Sequence, residues 1–131
     1  MKPHIAGLSI LGGDPTASRN IETVIDICRT FKEAFPEKSL WVWSGFKIDM
    51  SLKDECIEKN KTVYHSFKDG SNPVFYSQDL FELVDVVVDG RWEIENYDPN
   101  LLYAGSSNQR LVDMKKTLAA GEIVEISNIK Q

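Results

Sequence analysis

The sequence predicts an α/β fold built on parallel strands, and three observations carry that expectation. Three short runs, "HIAGLSIL", "SLWVWSG" and "ELVDVVVDG", are dense in Ile, Val, Leu and Trp and lack clean polar alternation. Strands covered on both faces have that composition. A stretch of helical periodicity separates the first two runs, and each run closes on glycine beside a polar residue. The 131 residues suit a single domain spanning positions 1–131, because single domains are most often about 100–150 residues long.

The elements follow in order. Between the first two strands, Ile21, Val24, Ile25, Cys28 and Phe31 recur at helical spacing within "ASRNIETVIDICRTFKEAF". Ser18 or Asn20 suits the cap, Glu22 the first turn and Pro36 the stop. A strand, a helix and a second strand joined by a short return make a right-handed βαβ unit. "SLKDECIEKN" predicts a short helix capped by Ser51. Residues 62–76 hold two β-prone runs around Lys-Asp-Gly-Ser-Asn, a hairpin signal, and residues 59–76 read as a hairpin-like insertion within the domain. "SQDLFELV" predicts a brief helix leading into the third strand. "NQRLVDMKKTLAAG" predicts one helix closed by Gly121, and "EIVEIS" a small last strand. No internal repeat, low-complexity tract or linker interrupts the chain.

Composition narrows the function classes. The 42% hydrophobic and 27% charged fractions belong to an ordinary soluble globular protein. A net charge of -5 argues against nucleic acid as a partner, since phosphate backbones favour basic patches. No apolar run approaches the roughly 18 residues that span a membrane, and no basic-then-apolar leader opens the sequence. Neither a membrane partner nor export is expected, and the expected compartment is the cytoplasm. Cys28 and Cys56 are the only cysteines. They read as free thiols on helices, because a reducing cytosol disfavours disulfides. Two thiolates without C-x-x-C spacing do not make a conventional zinc or iron–sulfur set.

In parallel α/β sheets the ligand crevice lies outside the carboxyl ends of the strands. Here those ends are Gly12-Gly13-Asp14, Ser44-Gly45 and Asp89-Gly90-Arg91. A glycine-rich turn before a helix suggests phosphate, but "GGDPTASRN" lacks both G-x-x-x-x-G-K-[ST] and G-x-G-x-x-G. Asp14 repels an anion and Pro15 removes a donor. A carboxylate on this turn suits an ammonium, held by a charge-assisted hydrogen bond. The turn therefore reads as a site for the amino-acid-like end of a small molecule. Trp41, Trp43 and Trp92 read as packing residues rather than stacking platforms. His4 and His65 read as surface residues rather than a metal pair.

A strand ending in Gly-Gly-Asp-Pro resembles the turn by which radical S-adenosylmethionine enzymes hold the methionine amino group. Here it is followed, in order, by "LWVWSGF", "VDVVVDGRW" and "LLYAGSSNQRLVD". Together these motifs resemble the activating proteins of anaerobic (class III) ribonucleoside-triphosphate reductases, over about residues 7–116 with a break at 59–76. The resemblance implies a partial α/β barrel, with S-adenosylmethionine and a [4Fe–4S] cluster as cofactors. It implies an oxidoreductase in which S-adenosylmethionine is reductively cleaved and the 5′-deoxyadenosyl radical takes hydrogen from a glycine of the reductase large subunit. That subunit is the implied partner. By the same resemblance, Gly12, Gly13 and Asp14 match the amino-group turn, with Pro15 fixing its exit. Ser44 and Gly45 match the next strand-end contact, and Asp89 and Arg91 an acid–glycine–base strand end facing the cofactor. Gly105, Ser106, Ser107, Asn108, Gln109 and Arg110 form the most specific motif and receive no assigned contact. No residue of the chain is assigned a catalytic role.

One departure is large. The family holds its cluster on a C-x-x-x-C-x-x-C loop upstream of the glycine turn, whereas the eleven residues before Gly12 include no cysteine. The expectation is a radical-S-adenosylmethionine-type barrel missing its first βα unit, with no metal ligands in this chain. A split gene with a separate amino-terminal fragment, a truncation, or a degenerate activase would each produce this pattern. The competing reading is a non-catalytic docking or regulatory protein that binds the reductase. An unrelated small nucleotide-binding module is the third.

Overall fold

The computed structural model of the chain describes residues 7–10, 20–59, 62–65, 74–90, 93–100 and 106–126. The first unit is β1 (Gly7–Ile10), α1 (Ile21–Ala34) and β2 (Ser39–Trp43). Its two strands run parallel, with Gly7 opposite Ser39 and Ile10 opposite Val42. Helix α1 buries Ile21, Val24 and Cys28, the stripe that helical periodicity places on one face. Asn20 occupies its N-cap without a side-chain cap bond, and Phe35 closes it just before Pro36.

The next stretch builds a second, smaller sheet. Strand β3 (Lys47–Ile48) precedes a 3-10 turn, Met50–Leu52, and then α2 (Lys53–Lys59). The cap here is Asp49 and not the expected Ser51. The Asp49 carboxylate accepts the Ser51 N–H at 2.9 Å and the Ser51 hydroxyl at 2.6 Å, so the charged acceptor takes both donors. Strands β4 (Val63–His65) and β5 (Val74–Tyr76) pair antiparallel, with Tyr64 opposite Phe75. Strand β5 also pairs with β3, in parallel, giving the order β3-β5-β4. The β3 pairing had no counterpart in the sequence reading. Val74, Phe75 and Tyr76 are all buried.

Helix α3 (Gln78–Leu83) starts at Ser77, whose hydroxyl accepts the Leu80 N–H. It leads into β6 (Val86–Asp89), parallel to β2 as expected. The expected helix over residues 108–121 is instead a strand and a shorter helix, β7 (Arg110–Asp113) and α4 (Met114–Ala120). Leu111 and Val112 are adjacent and both buried. A strand sends them to opposite faces of the sheet, where both are covered. Asp113 then ends the strand and starts the helix, its carboxylate accepting the Lys116 N–H at 3.0 Å. Gly121 closes α4 in the left-handed conformation, φ +75°, as glycine readily does.

With β8 (Glu125–Ile126) the main sheet has the order β1-β2-β6-β7-β8. The expectation of parallel strands holds for the first three only, since β7 is antiparallel to β6 and β8 to β7. No closed barrel forms among the described residues, and the sheet is open. On one face Leu40, Val42, Val87 and Val112 share a core with residues of α1, α3 and α4. On the other, Val86, Val88 and Leu111 pack against the half-buried Trp41 and Trp43, whose rings stack at 5.7 Å. At the amino end of β6, Asp85 accepts Lys32 Nζ at 2.8 Å and Leu40 N–H at 2.7 Å. This ties the last turn of α1 to the β2–β6 seam. Among the described residues, no helix is long and apolar enough to cross a membrane.

Candidate functional site

The carboxyl ends of β2 and β6 lie side by side. Trp43 stands opposite Val88, and the Ser44 N–H donates to the Val88 carbonyl at 2.9 Å. Ser44 is buried, and its hydroxyl accepts the Phe46 N–H at 2.9 Å. The Phe46 carbonyl in turn accepts the Gly90 N–H at 3.2 Å. The turn through Ser44 and Gly45 is thus laced to the turn at Gly90.

Asp89 is fully buried at the end of β6, directly across from Arg110 on β7. The guanidinium grips the carboxylate with both arms, Nε to Oδ1 at 2.9 Å and a terminal nitrogen to Oδ2 at 2.5 Å. Oδ2 also accepts the Ile48 N–H at 2.9 Å, while Arg110 donates to the Ile48 carbonyl at 3.3 Å. One ion pair therefore joins β6, β7 and β3, and so ties the two sheets together at this end. The hydrogen bond to Asp89 pushes the Arg110 pKa further up, outweighing burial, which works the other way. A buried charge requires such pairing and hydrogen bonding to be tolerated.

Beyond Asp89 the chain turns at Gly90 with φ +99°, a conformation that glycine adopts without penalty. A Cβ there would lie 3.5 Å from the Asn108 carbonyl oxygen. Gln109 holds the turn, donating from Nε2 to the Gly90 carbonyl at 3.0 Å and accepting the Ser106 N–H at 3.2 Å. Ser106 is fully buried, and its hydroxyl accepts the Glu93 N–H at 3.2 Å. The Ser107 N–H donates to the Asn96 carbonyl at 2.8 Å. The motif that carried no contact in the sequence reading is here a clamp on the carboxyl end of β6. Its signal in the sequence was a strand-terminal Asp after "VVV" and an Arg before "LV", a cross-strand opposite-charge pair. Gly12, Gly13, Asp14, Pro15, Arg91 and Gly105 lie outside the described residues.

Comparison with known proteins places the sequence in a family. Residues 1–112 match the family described as "4Fe-4S single cluster domain". The chain belongs to that family. It is similar to proteins named anaerobic ribonucleoside-triphosphate reductase-activating protein, as the quoted motifs led us to expect. The relative from Enterobacteria phage T4 is 32% identical over 110 residues, covering 84% of this chain and 54% of the relative. The relative from Pasteurella multocida (strain Pm70) is 30% identical over 103 residues, covering 79% and 52%. The relative from Escherichia coli (strain K12) is 29% identical over 103 residues, covering 79% and 53%. The chain thus spans about half the length of the curated relatives it matches. No solved structure matches it.

For a member of the 4Fe-4S single cluster domain family, the thiols of this chain are ill suited to a cluster. Cys28 on α1 and Cys56 on α2 are both buried, and neither is in a disulfide. Burial pushes the Cys28 thiol up to about 11, so it stays protonated near neutrality, whereas a metal ligand must be a thiolate. Cys56 Sγ accepts the Gln78 N–H at 3.4 Å. Among the described residues no three His, Cys, Asp or Glu side chains group as a metal site. The described residues do not fit the cluster. Anaerobic reconstitution of the 131-residue chain with iron and sulfide is expected to leave no stoichiometric cluster absorbance. Four irons per chain, lost on changing Cys28 and Cys56 to Ala, would overturn this.

Proposed function

We propose that this chain serves the activation of the anaerobic (class III) ribonucleotide reductase, as the S-adenosylmethionine-binding portion of an activating protein. The single observation that carries the reading is the family match over residues 1–112, to which the shared name of the relatives gives its direction. The cluster thiolates come from outside these 131 residues. The cofactor sits at the carboxyl ends of β1, β2 and β6. Asp14 receives the methionine ammonium on the Gly12-Gly13 turn, Pro15 fixes the exit, and Ser44, Gly45, Asp89 and Arg91 shape the neighbouring strand ends. Because the Asp89 carboxylate is gripped by Arg110, its part is to fix the strand end at Gly90. Three parallel strands, helices on one face and a half-buried Trp pair on the other support a partial barrel wall. The compartment is the cytoplasm.

The test combines the chain with the reductase large subunit, S-adenosylmethionine, a reductant and a fragment bearing C-x-x-x-C-x-x-C, all without oxygen. A glycyl-radical electron paramagnetic resonance signal that requires this chain is expected. Asp14→Asn should weaken S-adenosylmethionine binding by about ten- to a hundredfold, as expected for a lost hydrogen bond to a charged group, with the urea midpoint unchanged. An unaltered affinity removes the turn from the site. The lack of C-x-x-x-C-x-x-C spacing in these 131 residues favours a second reading, a non-catalytic docking or regulatory protein for the reductase. Binding to the large subunit without any radical in the complete mixture would decide for it.

A further inference from the structure

We propose that Ile94 and Tyr97 form a rigid docking knob for the reductase large subunit, an inference that rests on the function proposed above. Ile94 is 71% exposed and Tyr97 59%, the two highest values among the large apolar side chains described. They begin and follow one 3-10 turn, Ile94–Asn96, and the Tyr97 N–H donates to the Ile94 carbonyl at 3.2 Å. Three residues per turn bring i and i+3 into line, so the two side chains share one side of the turn.

A loop free to relax would fold such side chains inward. This one is tied at several points. Ser106 accepts the Glu93 N–H, Ser107 donates to the Asn96 carbonyl, and Tyr97 bridges Ser106 as an isolated antiparallel pair. Asn96 Nδ2 also donates to Glu93 Oε1 at 2.7 Å. A fixed aromatic anchor loses little conformational freedom on binding. The serines of the motif thereby acquire a purpose beyond the strand end, since they hold the knob outward.

Charge and position identify the occupant. Residues 93–100 contain Glu93, Glu95 and Asp98 and no Lys or Arg, so the complementary surface is an apolar pocket rimmed by cations. Glu93 follows Asp89 by four positions, which sets the knob at the same end of the sheet as the proposed cofactor site. A protein substrate of that site must reach this end.

The test measures binding of the full chain to the purified large subunit by calorimetry. Ile94→Asp and Tyr97→Ala should each weaken binding about thirtyfold or more, the scale of an interface hot spot. Glu95→Lys should weaken it more at low salt than at high salt. Ile27→Asp, at a 48% exposed apolar position on α1, should leave affinity unchanged. Parent binding that survives both knob variants overturns the docking surface while leaving the proposed function intact. Loss of binding in Ile27→Asp to the same degree overturns it too. A parent chain that does not bind the large subunit overturns the partner assignment, and the knob with it.

Discussion

Arg110→Ala is expected to lower the stability of the chain by about 3–5 kcal/mol, the cost of breaking a buried ion pair from one side. The reason is the partner left behind. Asp89 has no solvent exposure, and its two oxygens receive three hydrogen bonds, two from Arg110 and one from the Ile48 N–H. Removing the guanidinium leaves a carboxylate in the interior with one neutral donor. Arg110 itself retains 26% side-chain exposure, so water can enter when it is truncated, and the lower end of the range is expected. Domains of this size are stable by about 5–15 kcal/mol, so the variant should be partly unfolded at modest urea. Asp89→Asn combined with Arg110→Met should recover more than half of the loss. The double variant buries no charge, and an amide oxygen still accepts from Ile48. Urea titrations at constant slope check both. A loss under about 1 kcal/mol for Arg110→Ala would mean that water already screens the pair, and the three-strand junction would need another cause.

The same junction shows what was legible in the sequence. The β1–α1–β2 unit and β6 could be read because burial imposes a local pattern, such as the stripe Ile21, Val24, Cys28 or the run "VVV". The 108–121 segment was misread because "RLVDMKK" satisfies a helix and a strand-then-helix equally well over so few residues. Only the presence of β6 alongside decides, by offering Leu111 and Val112 covered faces on opposite sides. Strand β3 is two residues long and carries no periodicity at all. Its existence depends on β5 arriving beside it, a contact 27 positions away. Of the candidate site, the strand ends Ser44-Gly45 and Asp89 were read from glycine and chain order, and the structure sets them side by side. The partner of Asp89 was not found, because the register between β6 and β7 selects Arg110, and reading residues 108–121 as one helix hid the strand that presents it.

Phe75→Ala is expected to cost about 3–5 kcal/mol, the usual range for deleting a buried Phe ring. Residues 59–76 read in the sequence as an insertion, and an insertion lying outside the core would tolerate this change with little loss. The packing predicts otherwise. Phe75 is fully buried at the centre of the small sheet, between β3 and β4. Its ring meets Phe46 edge-on at 5.9 Å and Phe81 at 5.4 Å, and Phe81 meets Tyr76 at 5.0 Å. Such edge-to-face pairs add about 0.5–1.5 kcal/mol beyond the area they bury. Phe81 belongs to α3, which also packs against the main-sheet core with Leu40, Val42 and Val87. The cavity left by Phe75 would therefore open between the two sheets rather than at a rim. In a Trp92→Phe background, fluorescence from Trp41 and Trp43, on the far face of the main sheet, supplies a distant reporter. If the sheets share one cooperative core, urea should shift that signal and far-ultraviolet circular dichroism together, in a single transition. A Phe75→Ala variant whose Trp transition stays at the parent midpoint would show the small sheet to be an independent attachment. The Asp89–Arg110 bridge to Ile48 would then be a tether between two units instead of a seam within one.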